Sequence, residues 1–265
     1  IRKKYGGVFM ATYVLSDIHG HLDYFEDILR KIKFSKEDTM YIIGDCIDRG
    51  PNPIGLLKRV KELKNVHFLL GNHEQMMLQA IKDKNQQSLR NWLANGGTVT
   101  FEQFISLSAS EQNDLIDWLY TRPIAIPELI VNNKKYFLAH ASHPLFYLDK
   151  TLYYSEADDF DAFHILWSRD YEYIFPEELA KSYSKLYAKY KNTTLLFGHT
   201  PVYKTNYGRL NREGHPMISR TGSGHLINLD CGCARGLPLG CLRLDDGKEF
   251  YASLPKGTRI SLKPM

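Results

Sequence analysis

Met40-Tyr41-Ile42-Ile43-Gly44-Asp45-Cys46-Ile47-Asp48-Arg49-Gly50 is the stretch on which the fold turns. Its first four residues are a short apolar, β-rich run of the kind that forms a buried strand. Gly44 ends that run, and Gly50-Pro51 breaks the chain again. Between the breaks lie Asp45, Asp48 and Arg49, two carboxylates and a guanidinium on a loop at a strand's C-terminal end. Ligands bind at that edge in open α/β sheets. A carboxylate supplies hard oxygen ligands and can bridge two ions, whereas arginine presents a planar fork of donors suited to phosphate. Taken alone, the loop has a second reading as a plain solvated turn.

Four other apolar runs end the same way. Tyr13-Val14-Leu15-Ser16 leads into Asp17-Ile18-His19-Gly20, and Val66-His67-Phe68-Leu69-Leu70 into Gly71-Asn72-His73-Glu74. Lys135-Tyr136-Phe137-Leu138-Ala139 leads into His140-Ala141, and Thr194-Leu195-Leu196-Phe197 into Gly198-His199-Thr200. Asp17 and His19, with one residue between them, can turn to one side and chelate an ion, although such a pair is also a common turn. A lone histidine after a strand is ordinarily structural. Strand after strand delivering Asp, His or Asn at its C-terminal end is a metal-site constellation.

In order, Asp17-x-His19, Gly44-Asp45-x-x-Asp48-Arg49-Gly50, Gly71-Asn72-His73-Glu74, His140 and Gly198-His199 resemble the phosphoprotein phosphatase family of binuclear metallophosphoesterases. The resemblance runs from about Ala11 to the last strands. Gly71-Asn72-His73-Glu74-Gln75-Met76-Met77, Trp92-Leu93-Ala94-Asn95-Gly96-Gly97 and Trp167-Ser168-Arg169 look like its bacterial and phage branch. The resemblance implies an α/β, calcineurin-like metallophosphoesterase fold, with two mixed β-sheets packed as a sandwich and flanked by helices. It implies a first metal held by Asp17, His19 and bridging Asp45, and a second held by Asn72, His140, His199 and Asp45. The mixed oxygen and nitrogen ligands suit two divalent ions, Mn²⁺ foremost, with Fe or Zn²⁺ as alternatives. Two such ions about 3.5–4 Å apart can bridge a water and lower its pKa. The implied chemistry is direct attack on a phosphate ester by that metal-bridging hydroxide, without a covalent phospho-enzyme. Arg49, Arg169 and Asn72 would bind the substrate phosphate. His73 would protonate the leaving alkoxide, with Asp48 holding it charged and oriented. Glu74 is expected to be a helix-start residue supporting this loop.

The activity so implied is a metal-dependent serine/threonine protein phosphatase. The alternative is a diadenosine polyphosphate hydrolase, which resembles it in all metal motifs. Family members of that symmetrical dinucleotide type tend to lack the acid at the position of Asp48, which favours the phosphatase. A more distant alternative is a non-catalytic phosphate-binding module, which should have lost a ligand or the acid; none is missing. The partners are then phosphorylated proteins or peptides, with nucleotides as the second class, and a monomer is favoured.

Composition is that of a soluble globular protein. The chain of 265 residues is 43% hydrophobic and 24% charged, ordinary for a globular protein with a sizeable core. A net charge of +4 and an isoelectric point near 8.7 are mildly basic. They fall short of a nucleic-acid arm but tolerate phosphorylated partners. The four cysteines, Cys46, Cys231, Cys233 and Cys241, are too few for a disulfide scaffold. Cys231-x-Cys233 has no matching second pair, so it reads as structural, and a reducing cytoplasm fits best. No run approaches the ~18 apolar residues of a membrane span. Residues 10–265 are expected to form one metallophosphoesterase domain. Ile1 to Phe9 lack the apolar core of a signal peptide and are expected to be an extension ahead of a natural start at Met10. Intact-mass measurement of native protein tests that start.

Periodicity places the remaining elements. Leu22 to Ile32 has helical spacing with Leu22, Phe25, Ile28, Leu29 and Ile32 on one face, and Pro53 starts a second helix through Leu63. Together with three strands these make βαβαβ units and predict a parallel segment. Glu74 to Leu119 reads as a helical insert broken at Gly96-Gly97, in which nothing demands chemistry, with a helix start at Ser110. Ile124 to Val131 and Lys135 to Ala139 read as a hairpin through Asn132-Asn133. Residues 141–175 are rich in aromatics: His143, Phe146, Tyr147, Tyr153, Tyr154, Phe160, Phe163, Trp167, Tyr171, Tyr173 and Phe175. This segment either folds its rings against the body or faces substrate. Pro176 to Lys191 suits a helix, and a polar loop follows Pro201 through Gly224. Strands are expected at Leu226–Leu229, Leu239–Leu244 and Glu249–Ser253.

Overall fold

Alternating apolar runs and amphipathic stretches become strands and helices in strict sequence. The computed structural model describes residues 3–5, 8–82, 84–142, 148–169, 190, 192–221 and 224–255. A hairpin of β1 (Lys3–Tyr5) and β2 (Val8–Met10) precedes β3 (Thr12–Leu15), α1 (Leu22–Ile32), β4 (Thr39–Ile43), α2 (Pro53–Glu62) and β5 (Val66–Leu69). Met10 therefore lies in a strand of its own ahead of β3. Four helices follow: α3 (Asn72–Lys82), α4 (Gln86–Trp92), α5 (Thr98–Ile105) and α6 (Ala109–Tyr120). Leu93–Gly97 joins α4 to α5 across a kink at Gly96. Next come β6 (Pro123–Val131), β7 (Lys134–Ala139), β8 (Leu152–Tyr153), α7 (Asp159–Leu166) and β9 (Thr193–Phe197). The chain continues through β10 (Arg209–Leu210), β11 (Pro216–Met217), β12 (Ser219–Arg220), β13 (Leu226–Asn228), β14 (Gly240–Arg243) and β15 (Glu249–Tyr251). Among the described residues no helix is long and apolar enough to cross a membrane.

Two mixed sheets carry the fold. One has the order β15-β14-β3-β4-β5, with β3, β4 and β5 mutually parallel. The other has the order β12-β13-β9-β7-β6-β8, with β7, β9 and β13 parallel. Side chains alternate across a strand, and the burial follows suit. Val14, Ile43, Leu69 and Leu242 of the first sheet pack with Tyr136, Leu138, Leu196 and Ile227 of the second. The alternate residues Tyr13, Leu15, Met40, Ile42 and Phe68 pack with Phe25, Ile28, Leu56 and Leu57 of the helices. The molecule is thus the expected sandwich of two sheets flanked by helices.

Several local expectations change. The start of α6 is capped by Ser108, which accepts from the Glu111 N–H and whose own N–H is bonded by the Glu111 carboxylate; Ser110 lies inside the helix. The stretch after Pro201 contains the short strands β10, β11 and β12 in place of a plain loop. The hairpin turn is as expected, with Asn132 and Asn133 at φ 51° and 62°, as a two-residue hairpin with this twist requires. Of the aromatic segment, Tyr154 meets Tyr120 edge to face, whereas Phe160 and Phe163 expose more than half of their surface. His143, Phe146, Tyr147, Tyr171, Tyr173, Phe175 and the helix expected over Pro176 to Lys191 lie outside the described residues, apart from Tyr190.

Candidate metal centre

The loop that decides the fold is shaped by Glu74, the third residue of α3. Its buried carboxylate accepts from the backbone N–H groups of Gly71, Asp45, Cys46 and Ile47 at 2.8, 3.0, 2.8 and 3.2 Å. The N–H groups that follow β4 and β5 thereby converge on one side chain. Asp17, His19, Asp45, Asp48, Arg49 and His199 all have positive φ, between 47° and 69°. Such conformations are costly for residues bearing a Cβ and concentrate at functional sites. Gly71 is required by proximity, since a Cβ there would overlap Oδ1 of Asp45.

Asp45 Oδ2 is the centre of the cluster. Nε2 of His140, His19 and His73 lie 3.4, 3.5 and 3.9 Å from it. His19 and His140 each donate Nδ1–H to a backbone carbonyl, Ile47 and Ile43, both at 2.9 Å. Those bonds orient the rings and turn each Nε2 inward, as in histidines that hold metals. Asn72 Oδ1 lies 3.0 Å from both His140 Nε2 and His199 Nδ1. Asp17 accepts from the His199 N–H at 3.1 and 3.2 Å and from the Ser16 hydroxyl. The donors Asp17, Asp45 and His140, and separately His19, Asp45 and His73, lie within 4.8 Å of one another. All six predicted metal-binding residues thus lie together.

The electrostatics fit a group of divalent cations. Burial, then the Asp45 carboxylate, pushes Asp17 up to about 6. Burial opposes the charge on Asp45, yet His140 and His73 beside it hold it well below the usual carboxylate range. Burial likewise opposes a proton on His140, yet Asp45 raises it to about 10. His19 and His199 are pushed well below the ordinary imidazole value, chiefly by burial. Neutral imidazoles are ligands, and buried carboxylates demand positive charge nearby. Nε2 of His199 is buried without a hydrogen-bond partner. These are the properties of residues that could hold divalent metals.

Beside this cluster, the His73 Nδ1–H donates to Asp48 Oδ2 at 2.6 Å, which leaves Nε2 facing Asp45. Arg49 directs Nη1 at Nε2 of His19, 2.9 Å away. Arg169 is exposed at the rim and donates Nε–H to Thr200 Oγ1 at 3.0 Å, near enough to His199 to help suppress its protonation. The Trp167 indole donates to Gln75 Oε1 at 2.6 Å and lies edge-on to His199, so one ring of the aromatic segment borders the cluster. Sequence reasoning missed Trp92 and Thr100, whose indole N–H and hydroxyl both bond Asp48. It also missed Asp230, a buried carboxylate pushed up by burial and then by Asp17. Trp92 and Thr100 lie 44 and 52 residues from Asp48 and carry no local signal of that contact; Asp230 had none beyond its position after a strand.

The sequence profile of the family described as calcineurin-like phosphoesterase matches residues 10–214. The symmetrical bis(5'-nucleosyl)-tetraphosphatase of Delftia acidovorans is 32% identical over 134 residues, 50% of this chain and 44% of that protein. Its counterpart in Salmonella paratyphi C is 31% identical over 134 residues, 50% of this chain and 43% of that one. The alignment therefore spans less than half the length of these relatives. Among solved structures, a putative diadenosine tetraphosphatase aligns over 93% of this chain and 94% of its own, with a TM-score of 0.58 and 19% identity. A protein serine/threonine phosphatase from Saccharomyces cerevisiae aligns over 96% and 82%, with a TM-score of 0.56 and 16% identity. At such identities the likeness is one of fold.

Proposed function

We propose that this chain, which belongs to the calcineurin-like phosphoesterase family, is a phosphoester hydrolase acting as a serine/threonine protein phosphatase and carrying two divalent metals. The observation behind this reading is the His73–Asp48 pair, both residues fully buried and 2.6 Å apart. A serine or threonine alkoxide leaves poorly without a proton, whereas a nucleotide leaving a polyphosphate needs little help. An acid pair beside the cluster therefore favours the monoester.

Asp17, His19 and Asp45 would hold one ion, and Asn72, His140, His199 and Asp45 the other, Mn²⁺ being the first choice. Bound there, the ions would supply an activated water and neutralise phosphate charge. Arg49, Arg169 and Asn72 bind phosphate oxygens, the arginines through charge-assisted hydrogen bonds. His73 delivers the proton on Nε2 to the leaving oxygen, while Asp48 keeps Nδ1–H and fixes the ring.

The test is His73→Asn at saturating Mn²⁺, assayed on a phosphoserine peptide and on p-nitrophenyl phosphate. Phosphoserine turnover should fall by the ~10²–10⁴-fold typical of acid–base catalysis, aryl phosphate turnover less, and bound metal not at all. Equal losses on both substrates would remove His73 from the role of leaving-group acid. A second reading, hydrolysis of diadenosine polyphosphates, has the names of the curated relatives behind it. Turnover compared across phosphoserine, phosphothreonine and phosphotyrosine peptides and diadenosine tetraphosphate separates the two.

A further inference from the structure

Asp48 is held by more than His73. Trp92 Nε1–H lies 2.9 Å from Oδ2 and 3.1 Å from Oδ1, and the Thr100 hydroxyl donates to Oδ1 at 2.6 Å. Thr100 Oγ1 also accepts from the Asp48 N–H at 2.9 Å, so this hydroxyl grips both the backbone and the side chain of one residue. Asp48 sits at φ 69°, a conformation that needs such support. Asp48, Trp92 and Thr100 are all fully buried. An indole N–H and a hydroxyl are expensive to bury unless bonded, and a Phe and a Val would fill the same space with no polar atom to satisfy. Packing alone does not explain these two residue types.

The geometry of the chain between them points the same way. Trp92, Gly96 and Thr100 are spaced by four and together reach residues 48 and 49, for the Gly96 carbonyl accepts from the Arg49 N–H at 3.1 Å. The chain kinks between the two polar contacts at Gly96, whose φ of 102° lies outside the helical range and is open to glycine at little cost. Gly97 has an ordinary φ of −72°. Its requirement is proximity, since a Cβ there would come within 2.5 Å of the Trp92 indole nitrogen.

We infer that the helical stretch from Trp92 to Thr100 is a positioning device for the acid pair: Trp92 and Thr100 fix Asp48, and through it the His73 ring, in the orientation that protonation of a leaving alkoxide requires. The inference rests on the reading of His73 as that acid. Neither Trp92 nor Thr100 touches substrate in this role.

The test uses the full chain saturated with Mn²⁺ and the variants Trp92→Phe, Thr100→Val and Thr100→Ser, with His73→Asn alongside. Trp92→Phe keeps the buried ring and removes the N–H; Thr100→Val keeps the shape and removes the hydroxyl. Each should lower kcat on a phosphoserine peptide about 10-fold more than kcat on p-nitrophenyl phosphate, the scale of one hydrogen bond to a charged group. KM and bound metal should be unchanged, and Thr100→Ser should restore the phosphoserine rate. A merely structural role would lower thermal stability and depress both substrates together. Parallel losses, or no loss, overturn the inference while His73→Asn still discriminates between the substrates. If His73→Asn treats the two alike, the acid assignment fails and this inference fails with it. Should Trp92→Phe not fold, Thr100→Val against Thr100→Ser decides the same question.

Discussion

Glu74 shows how much one carboxylate can organise. Its two oxygens satisfy four backbone N–H groups from two separate turns, those after β4 and β5. Burial and the Asp45 carboxylate push Glu74 up to about 7 while the N–H groups pull it down. Glu74→Gln should replace one acceptor oxygen by an NH₂ that faces donors, leaving buried N–H groups unpaired. We expect a loss of about 3 kcal/mol, read by calorimetry as a fall in Tm of roughly 6–12 °C. An unchanged Tm would mean that the turns hold themselves. The clustering of the candidate ligands was legible because ligation and phosphate binding allow few residue types, so Asp17, His19, Asp45 and Asn72 stand out beside strand ends. Trp92 and Thr100 did not, because their partner is one residue 44 and 52 positions away, and indole and hydroxyl groups have many ordinary uses. Arg169→Ala belongs to this scale too. It should depress turnover or substrate affinity with bound metal unchanged, because a guanidinium is no ligand. Wild-type kinetics would return Arg169 to the surface.

Elements with strong periodicity were legible, α1 to both its ends and most others to within one or two residues. The apolar face of α1 and the hairpin turn at Asn132-Asn133 agree with the structure because burial and turn chemistry are local signals. The start of α6 was misplaced because Ser108-Ala109-Ser110 offers two candidate caps. Reciprocity decides between them, since Glu111 lies three residues after Ser108 and can bond back to its N–H. Ser108→Ala should therefore lower Tm by roughly 2–4 °C, whereas Ser110→Ala should leave it nearly unchanged, and neither should alter kcat. The short strands β10 to β12 were invisible for the opposite reason. Two-residue strands carry no period, and their pairing is set by neighbours rather than by their own sequence.

On the scale of the whole molecule, the proposed ligands do not come from one layer. Asp17, Asp45 and Asn72 follow β3, β4 and β5 of one sheet, while His140 and His199 follow β7 and β9 of the other. Asp45 Oδ2 and His140 Nε2 meet across the two sheets at 3.4 Å. Away from this edge the sheets are joined by side chains such as Val14, Ile43, Leu138 and Leu196. Divalent ions held by both sets would tie the C-terminal ends of the strands together, and would shield buried carboxylates that otherwise repel one another. A ligand that binds the folded chain alone stabilises it by about 4 kcal/mol at a thousandfold excess over Kd. Mn²⁺ at that excess should then raise Tm by roughly 8–16 °C over chelator-treated protein. Elemental analysis of saturated protein should give two ions per chain. Hydrogen exchange should slow at the ends of strands in both sheets together, because a tie between layers protects both partners. Asp45→Asn removes the shared charge and should abolish most of the Tm shift along with activity on both alkyl and aryl phosphates. Protection confined to β3, β4 and β5 would place the metals on one sheet, and His140 and His199 would lose their place in the ligand set.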